Sequence, residues 1–156
     1  MSHQIALREA ASGDIPVLVV HRRLMFEDMA AAGSQHHQPA GLEAMDKAYA
    51  ECLQIHLANG TVQAWVAEAG DRITASGAIS ILVWPPGPGR TSGRTALLHS
   101  TYTVPECRRR GIARGIVEKA IAFCRKNGCK RTIPAGTGSE VGQSLHAVRF
   151  DTTRPP

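Results

Sequence analysis

The chain has 156 residues, of which 43% are hydrophobic and 20% charged, and it carries a net charge of +5. One domain of this length buries roughly two-thirds of its unfolded surface, and the composition argues against wholesale disorder. No apolar run approaches the ~20 residues of a membrane-spanning helix. The opening MSHQIALREAASGD lacks a charged stretch followed by an apolar core, so a single cytoplasmic domain spanning 1–156 is the expectation.

Ile5 to Glu9 alternates weakly and predicts a first strand. Ser12-Gly13-Asp14 gives a turn and a helix cap, with Pro16 in the first turn. Ile15, Leu18, Val19, Met25 and Met29 then recur at helical spacing as far as Ala32-Gly33-Ser34. A second helix is predicted from Leu42 to Leu57, with Met45, Tyr49, Cys52 and His56 on one side and Asn59-Gly60 as its stop. Val62 to Glu68 and Ile73 to Trp84 flank Gly70-Asp71, a hairpin signal. Pro85-Pro86-Gly87-Pro88-Gly89 forbids regular structure. Thr95 to Val104 predicts another strand, ended by Pro105.

Arg110 to Asn127 is the clearest helix, with Ile112, Ile116, Val117, Ala120, Ile121 and Cys124 as its apolar stripe. Cys129 to Ile133 predicts a short strand. A Gly/Ser-rich loop, a short helix near Val141 to Ala147 and a last strand near Val148 to Thr152 complete the order. The mixture points to one α/β (α+β) domain around a central sheet.

The charge is uneven. Glu106 to Arg131 carries nine basic and two acidic residues, or +7, and the rest carries −2. A basic segment in a near-neutral chain suggests one local anionic ligand rather than an extended nucleic-acid surface. The four cysteines form no CxxC pair and read as buried or incidental thiols. The seven histidines include no HExxH spacing, and no metal site is expected.

The informative stretch is Thr103 to Gly115, where a strand runs through a turn into a helix. The first amides of that helix have no intrahelical acceptor and lie at the positive end of its dipole. Gly111 and Ala113 keep the approach clear, and the arginines around them add charge-assisted bonds, a grip suited to a pyrophosphate. The alternative on spacing alone is a solvated basic helix start.

Arg108-Arg109-Arg110-Gly111-Ile112-Ala113 resembles the Arg/Gln-x-x-Gly-x-Gly/Ala motif of the GNAT N-acetyltransferase superfamily, in the strand–turn–helix setting that family requires. Ile5 to Met29 is similar to the family's first strand and helix, Trp65 to Trp84 to its hairpin, and Leu97 to Ile133 to its cofactor-binding half. The resemblance implies a mixed, mostly antiparallel sheet flanked by helices and splayed between strands 4 and 5. It also implies transfer of an acetyl group from acetyl-CoA to a primary amine by direct attack in a ternary complex. The pantetheine arm would pair with backbone at Tyr102, Thr103 and Val104. The pyrophosphate would meet the segment Arg108, Arg109, Arg110, Gly111, Ile112, Ala113 and Arg114.

Direct attack needs a base for the amine proton, an acid for the leaving sulfur and a donor for the carbonyl. In the last helix His146 takes the place of the family's tyrosine acid, with Arg149 where glycine is usual. His146 reads either as that acid or as a helix-surface residue. Beside the expected thioester lie His99 and Ser100. Strand alternation puts His99 and Thr101 on one face and Ser100 and Tyr102 on the other. Glu27, Asp28 and Trp84 are candidates for the acceptor pocket, with Tyr49 either there or in the core. A homodimer is compatible with the resemblance. The other readings are a GNAT-fold protein with a different acyl donor or acceptor, a CoA-binding role without turnover, and a basic nucleic-acid-binding domain that lacks any recognisable motif.

Overall fold

The computed structural model describes residues 4–33, 41–89, 91–129 and 131–134. Five strands form one sheet in chain order: β1 (Ile5–Glu9), β2 (Val62–Ala69), β3 (Arg72–Val83), β4 (Arg94–Thr103) and β5 (Arg131–Pro134). The first four are antiparallel neighbours, and β5 runs parallel to β4. The helices are α1 (Ile15–Ala31), α2 (Leu42–Ala58) and α3 (Ile112–Lys126). The expected last helix and strand lie outside the described residues.

Both faces of the sheet are covered, so the central stretches of β2 and β3 are buried on consecutive residues rather than on alternate ones. On one face Val62, Ala64, Val66 and Ala78 pack with Ile15 and Leu18 of α1 and Tyr49 and Leu53 of α2. On the other, Trp65, Ala67, Ala75, Ile79, Ala96 and Leu98 receive Ile112, Ile116, Val117, Ala120 and Cys124 of α3. Complete burial of a side chain such as Leu53, Ile79 or Ile116 is worth about 1.5–3 kcal/mol. Small residues on the strands let the helices approach closely. At Gly77 an added Cβ would sit 2.8 Å from Cγ2 of Ile116.

Three local expectations change. Asp14 does not cap α1; its carboxylate accepts the Ala11 N–H at 2.7 Å and a two-pronged pair of bonds from Arg8. That guanidinium holds the Asp14 carboxyl below its usual range. On α2 the buried pair is Tyr49 and Leu53, whereas Cys52 is exposed. On α1 the buried set includes His21, which the apolar pattern passes over. Its ring shares a 2.8 Å hydrogen bond with the Ser76 hydroxyl, and this makes burial tolerable.

Candidate functional site

The site begins where β4 leaves the sheet. After Thr103 the chain makes a 3₁₀ turn at Pro105–Cys107 and enters α3. Arg109 (φ 62°) and Gly111 (φ 77°) both take left-handed backbone, so α3 starts at Ile112 rather than at the expected Arg110. An added Cβ at Gly111 would meet nothing within 4 Å. The dihedral, not space, calls for glycine there. The first intrahelical bond runs from the Gly115 N–H to the Gly111 carbonyl at 3.0 Å, and no side chain caps the helix. The amides from Gly111 to Arg114 thus remain unpaired within the helix, at its positive end.

Arginines gather at this positive end, against the dipole. Arg108 is paired with Asp28 and donates from Nε to the Thr103 carbonyl at 2.9 Å. Arg114 pairs with Glu118 one turn on. Arg109 and Arg110 are exposed and have no carboxylate partner among the described residues. Unpaired cations beside unpaired amides suit a phosphate-bearing ligand. Arg125 and Lys126, by contrast, lie in the last turn of α3, where the dipole favours cations.

The second part of the site is a bulge in β4. Ser76 pairs with Tyr102 but Ala78 pairs with His99, so β4 holds one residue more than β3 over this interval. Ser100 takes φ 55° there, uncommon for a residue with a side chain. The β4–β5 ladder ends at Leu98 and Pro134, one residue before the bulge. Alternation is reset in consequence. The His99 and Ser100 side chains meet at 2.9 Å on the face covered by α1 and α2. This corrects the expectation that they occupy opposite faces.

Ser100 is the centre of a buried polar cluster. Arg22 of α1 donates to its hydroxyl, and the Tyr49 hydroxyl of α2 donates at 3.2 Å. Its own proton then goes to Nδ1 of His99, leaving Nε2–H of His99 to donate to the Ser80 hydroxyl at 2.8 Å. Burial, and secondarily the Arg22 charge, lower the His99 pKa to about 4. The imidazole is therefore neutral near pH 7. Burial also pushes the Tyr49 phenol up, keeping it a donor.

The residues expected at the site are partly brought together. His99, Ser100, Tyr102 and Thr103 line one stretch of β4 that leads to the α3 amides. Of the three backbones expected to offer hydrogen bonds, Val104 is occupied, its N–H on Thr74 and its carbonyl under Cys107 N–H. Tyr102 lies opposite Ser76 in the β3 ladder. Alternation turns the Thr103 groups to the open edge, where Arg108 occupies the carbonyl and leaves the N–H. Asp28 is engaged by Arg108, and Glu27 is an exposed neighbour of Arg23. Trp84 is 68% exposed, beyond the far end of β4, about 20 Å along the strand from Ser100. His146 lies outside the described residues. Arg22, Ser80, His21 and Ser76 were not anticipated; each is a polar residue inside an otherwise apolar periodic stretch, the one signal available.

Among the described residues no three potential ligands cluster for a metal, and no helix is long and apolar enough to cross a membrane.

A bulged fourth strand thus feeds an uncapped, arginine-flanked helix on a mixed sheet. Residues 25–149 match the model of the Acetyltransferase (GNAT) family, and the chain belongs to that family, which uses acetyl-CoA. The fold is similar to that of a predicted acetyltransferase from Clostridium acetobutylicum with acetyl-CoA (TM-score 0.81, 24% identity, covering 92% of this chain and 87% of that one). It is likewise similar to a GCN5-related N-acetyltransferase from Ralstonia eutropha (TM-score 0.80, 24% identity, 98% and 99%). A further similar structure is an aminoglycoside N-acetyltransferase in complex with CoA (TM-score 0.63, 15% identity, 100% and 91%). No curated protein matches the chain significantly by sequence.

Proposed function

We propose that residues 1–156 form one acyltransferase domain that moves an acetyl group from acetyl-CoA to a primary amine by direct attack. Acetyl-CoA supplies an activated thioester carbonyl. The amides from Gly111 to Arg114, with Arg109 and Arg110, hold the pyrophosphate. The Thr103 N–H is the free edge donor for the amide-bearing arm. The bulge at Ser100 and Thr101 turns strand backbone toward the carbonyl and stabilises developing negative charge.

Holding the two reactants together supplies much of the rate, up to about 7–11 kcal/mol. His99, made a weak base by burial and the Arg22 charge, does not hold the amine proton; it fixes Ser100 and can relay a proton between the Ser100 and Ser80 hydroxyls. His146 is the proposed acid. Loss of activity in His146→Ala with recovery in His146→Tyr supports that role, and full activity with an unchanged pH profile in both removes it.

The observation that carries the reading is the uncapped start of α3, with Gly111 left-handed and with Arg109 and Arg110 exposed and lacking a carboxylate partner among the described residues. Calorimetric titration with acetyl-CoA and with CoA, followed by a screen of amines for thiol release, tests it. Binding of both with thiol release is expected. Absence of binding overturns the reading, and binding without release toward any amine or acyl donor leaves only a CoA-binding role.

A further inference from the structure

Three arginines are half-buried among the described residues: Arg8, Arg22 and Arg23. Arg8 is paired with Asp14 and Glu68, and Arg23 with Asp46. Arg22 has no carboxylate partner among the described residues. The acids of the surrounding helices, Asp46, Glu27 and Glu43, group around Arg23 instead. Arg22 is held by other means. Its guanidinium lies 4.7 Å from the Tyr49 ring centre and 5.1 Å from that of Phe26, and one terminal nitrogen donates to the Ser100 hydroxyl. Its Nε–H is buried with no acceptor among the described residues.

A buried donor without a partner is costly, and a half-buried cation without an anion more so. Both costs persist where a ligand satisfies them. The nitrogen on Ser100 is NH1, so Nε and NH2 remain as the side-on fork of the guanidinium. That fork matches the two oxygens of a carboxylate. It stands one hydrogen bond from the strand bulge.

We propose that the acceptor is a small amine that also carries a carboxylate, and that Arg22 binds this carboxylate through Nε and NH2. The assignment of the partner as an acceptor rests on the acetyl-transfer reading above. Arg22 then sets specificity: it anchors the acceptor beside Ser100, while the stacked Tyr49 and Phe26 rings keep the fork oriented.

The test uses a panel of amino acids, their carboxamides and phosphate-bearing amines. Acetyl transfer is measured with the wild type, Arg22→Gln and Arg22→Lys. Binding of the same amines to the CoA-saturated protein is followed by calorimetry and ligand-observed NMR. In the wild type, at least one amino acid is expected to exceed its carboxamide roughly tenfold or more in kcat/KM and in affinity. That ratio is expected to collapse toward unity in Arg22→Gln and to stay intermediate in Arg22→Lys, which keeps the charge but loses the fork. Equal use of carboxamides, a ratio that survives in Arg22→Gln, or a preference for phosphate-bearing amines overturns the proposal. If Arg22→Gln does not fold, the wild-type and Arg22→Lys ratios decide. If acetyl-CoA binds but no amine is acetylated, the transfer reading fails by itself, and the carboxylate binding data still decide the role of Arg22.

Discussion

His99 and Ser100 are consecutive residues of a strand, yet their side chains hydrogen-bond to each other at 2.9 Å on one face of the sheet. An ordinary strand separates such neighbours across its two faces. The left-handed backbone of Ser100 and the extra residue opposite Gly77 remove that separation. The rearrangement gathers the Ser80–His99–Ser100 chain and opens the strand at the same point.

The strain at Ser100 is measurable. Ser100→Ala keeps a Cβ at φ 55° and strands the Arg22, Tyr49 and His99 groups that now bond its hydroxyl. Ser100→Gly strands the same groups but relieves the left-handed cost, about 1–2 kcal/mol. Both variants are expected to be less stable than the wild type, with Ser100→Gly the more stable of the two by about 2–6 °C in Tm. Thermal melts decide this, and equal midpoints would mean that the bulge carries no such strain.

Acid sensitivity follows from two buried histidines. Burial lowers the pKa of His21, with a smaller effect of the Arg72 charge, and that of His99, with a smaller effect of Arg22, each from 6.5 to about 4. The folded state therefore binds protons more weakly than the unfolded chain between pH 6.5 and 4. Stability is complete above pH 6.5 and falls as pH drops through that window. The slope approaches about 1.4 kcal/mol per pH unit for each histidine. Urea midpoints from pH 7.5 to 4.5 check the slope, and His99→Gln is expected to reduce it by about half. A pH-independent midpoint in the wild type would contradict both assignments.

Much of the frame was legible because hydrophobic period and stop signals act locally. β1 matches its expected range, and the Gly70-Asp71 hairpin and the apolar stripe of α3 stand as read from sequence. The strand–turn–helix from Thr103 to Gly115 was legible for the same reason, apart from the two left-handed residues that delay α3. The bulge was not. No glycine marks Ser100, whose side chain is held by partners on α1 and α2, 78 and 51 residues away in sequence. His21 and Arg22 were passed over because a periodicity argument treats polar residues as outward-facing, whereas here Ser76 and Ser100 hold them inside. Trp84 was placed near the acceptor on aromatic character alone, and no local signal tells which end of a hairpin meets the site.

The arginines at the turn separate into two roles that kinetics and stability distinguish. Arg108→Ala and Asp28→Asn break the same link between α1 and the end of β4. Both groups are largely exposed, so each change is expected to cost less than about 1 kcal/mol. Arg109→Ala and Arg110→Ala remove exposed cations that have no carboxylate partner among the described residues, and they are expected to leave the melting point unchanged. Under the proposed function each raises the KM for acetyl-CoA about 3–10-fold with little change in kcat, an effect that shrinks as salt rises. Equal effects on Tm and KM at all three arginines would erase the distinction.

The contact that seats α3 against the bulged region gives the last prediction. Gly77 lies across from the extra residue of β4, and its missing Cβ leaves room for Cγ2 of Ile116, 2.8 Å from where that atom would stand, with Oγ1 of Thr101 at 3.4 Å. Gly77→Ala therefore forces α3 outward, at about 1–3 kcal/mol. Ile116→Leu conserves volume but moves the branch off Cβ, which removes Cγ2 from the contact, and alone it costs less than about 1.5 kcal/mol. The two together are expected to cost clearly less than their sum, because the clash exists only when both original groups are present. Urea unfolding of the four proteins measures that coupling. Strict additivity would show that α3 is not held off the sheet by this pair, and that the position of its phosphate-facing start is fixed elsewhere.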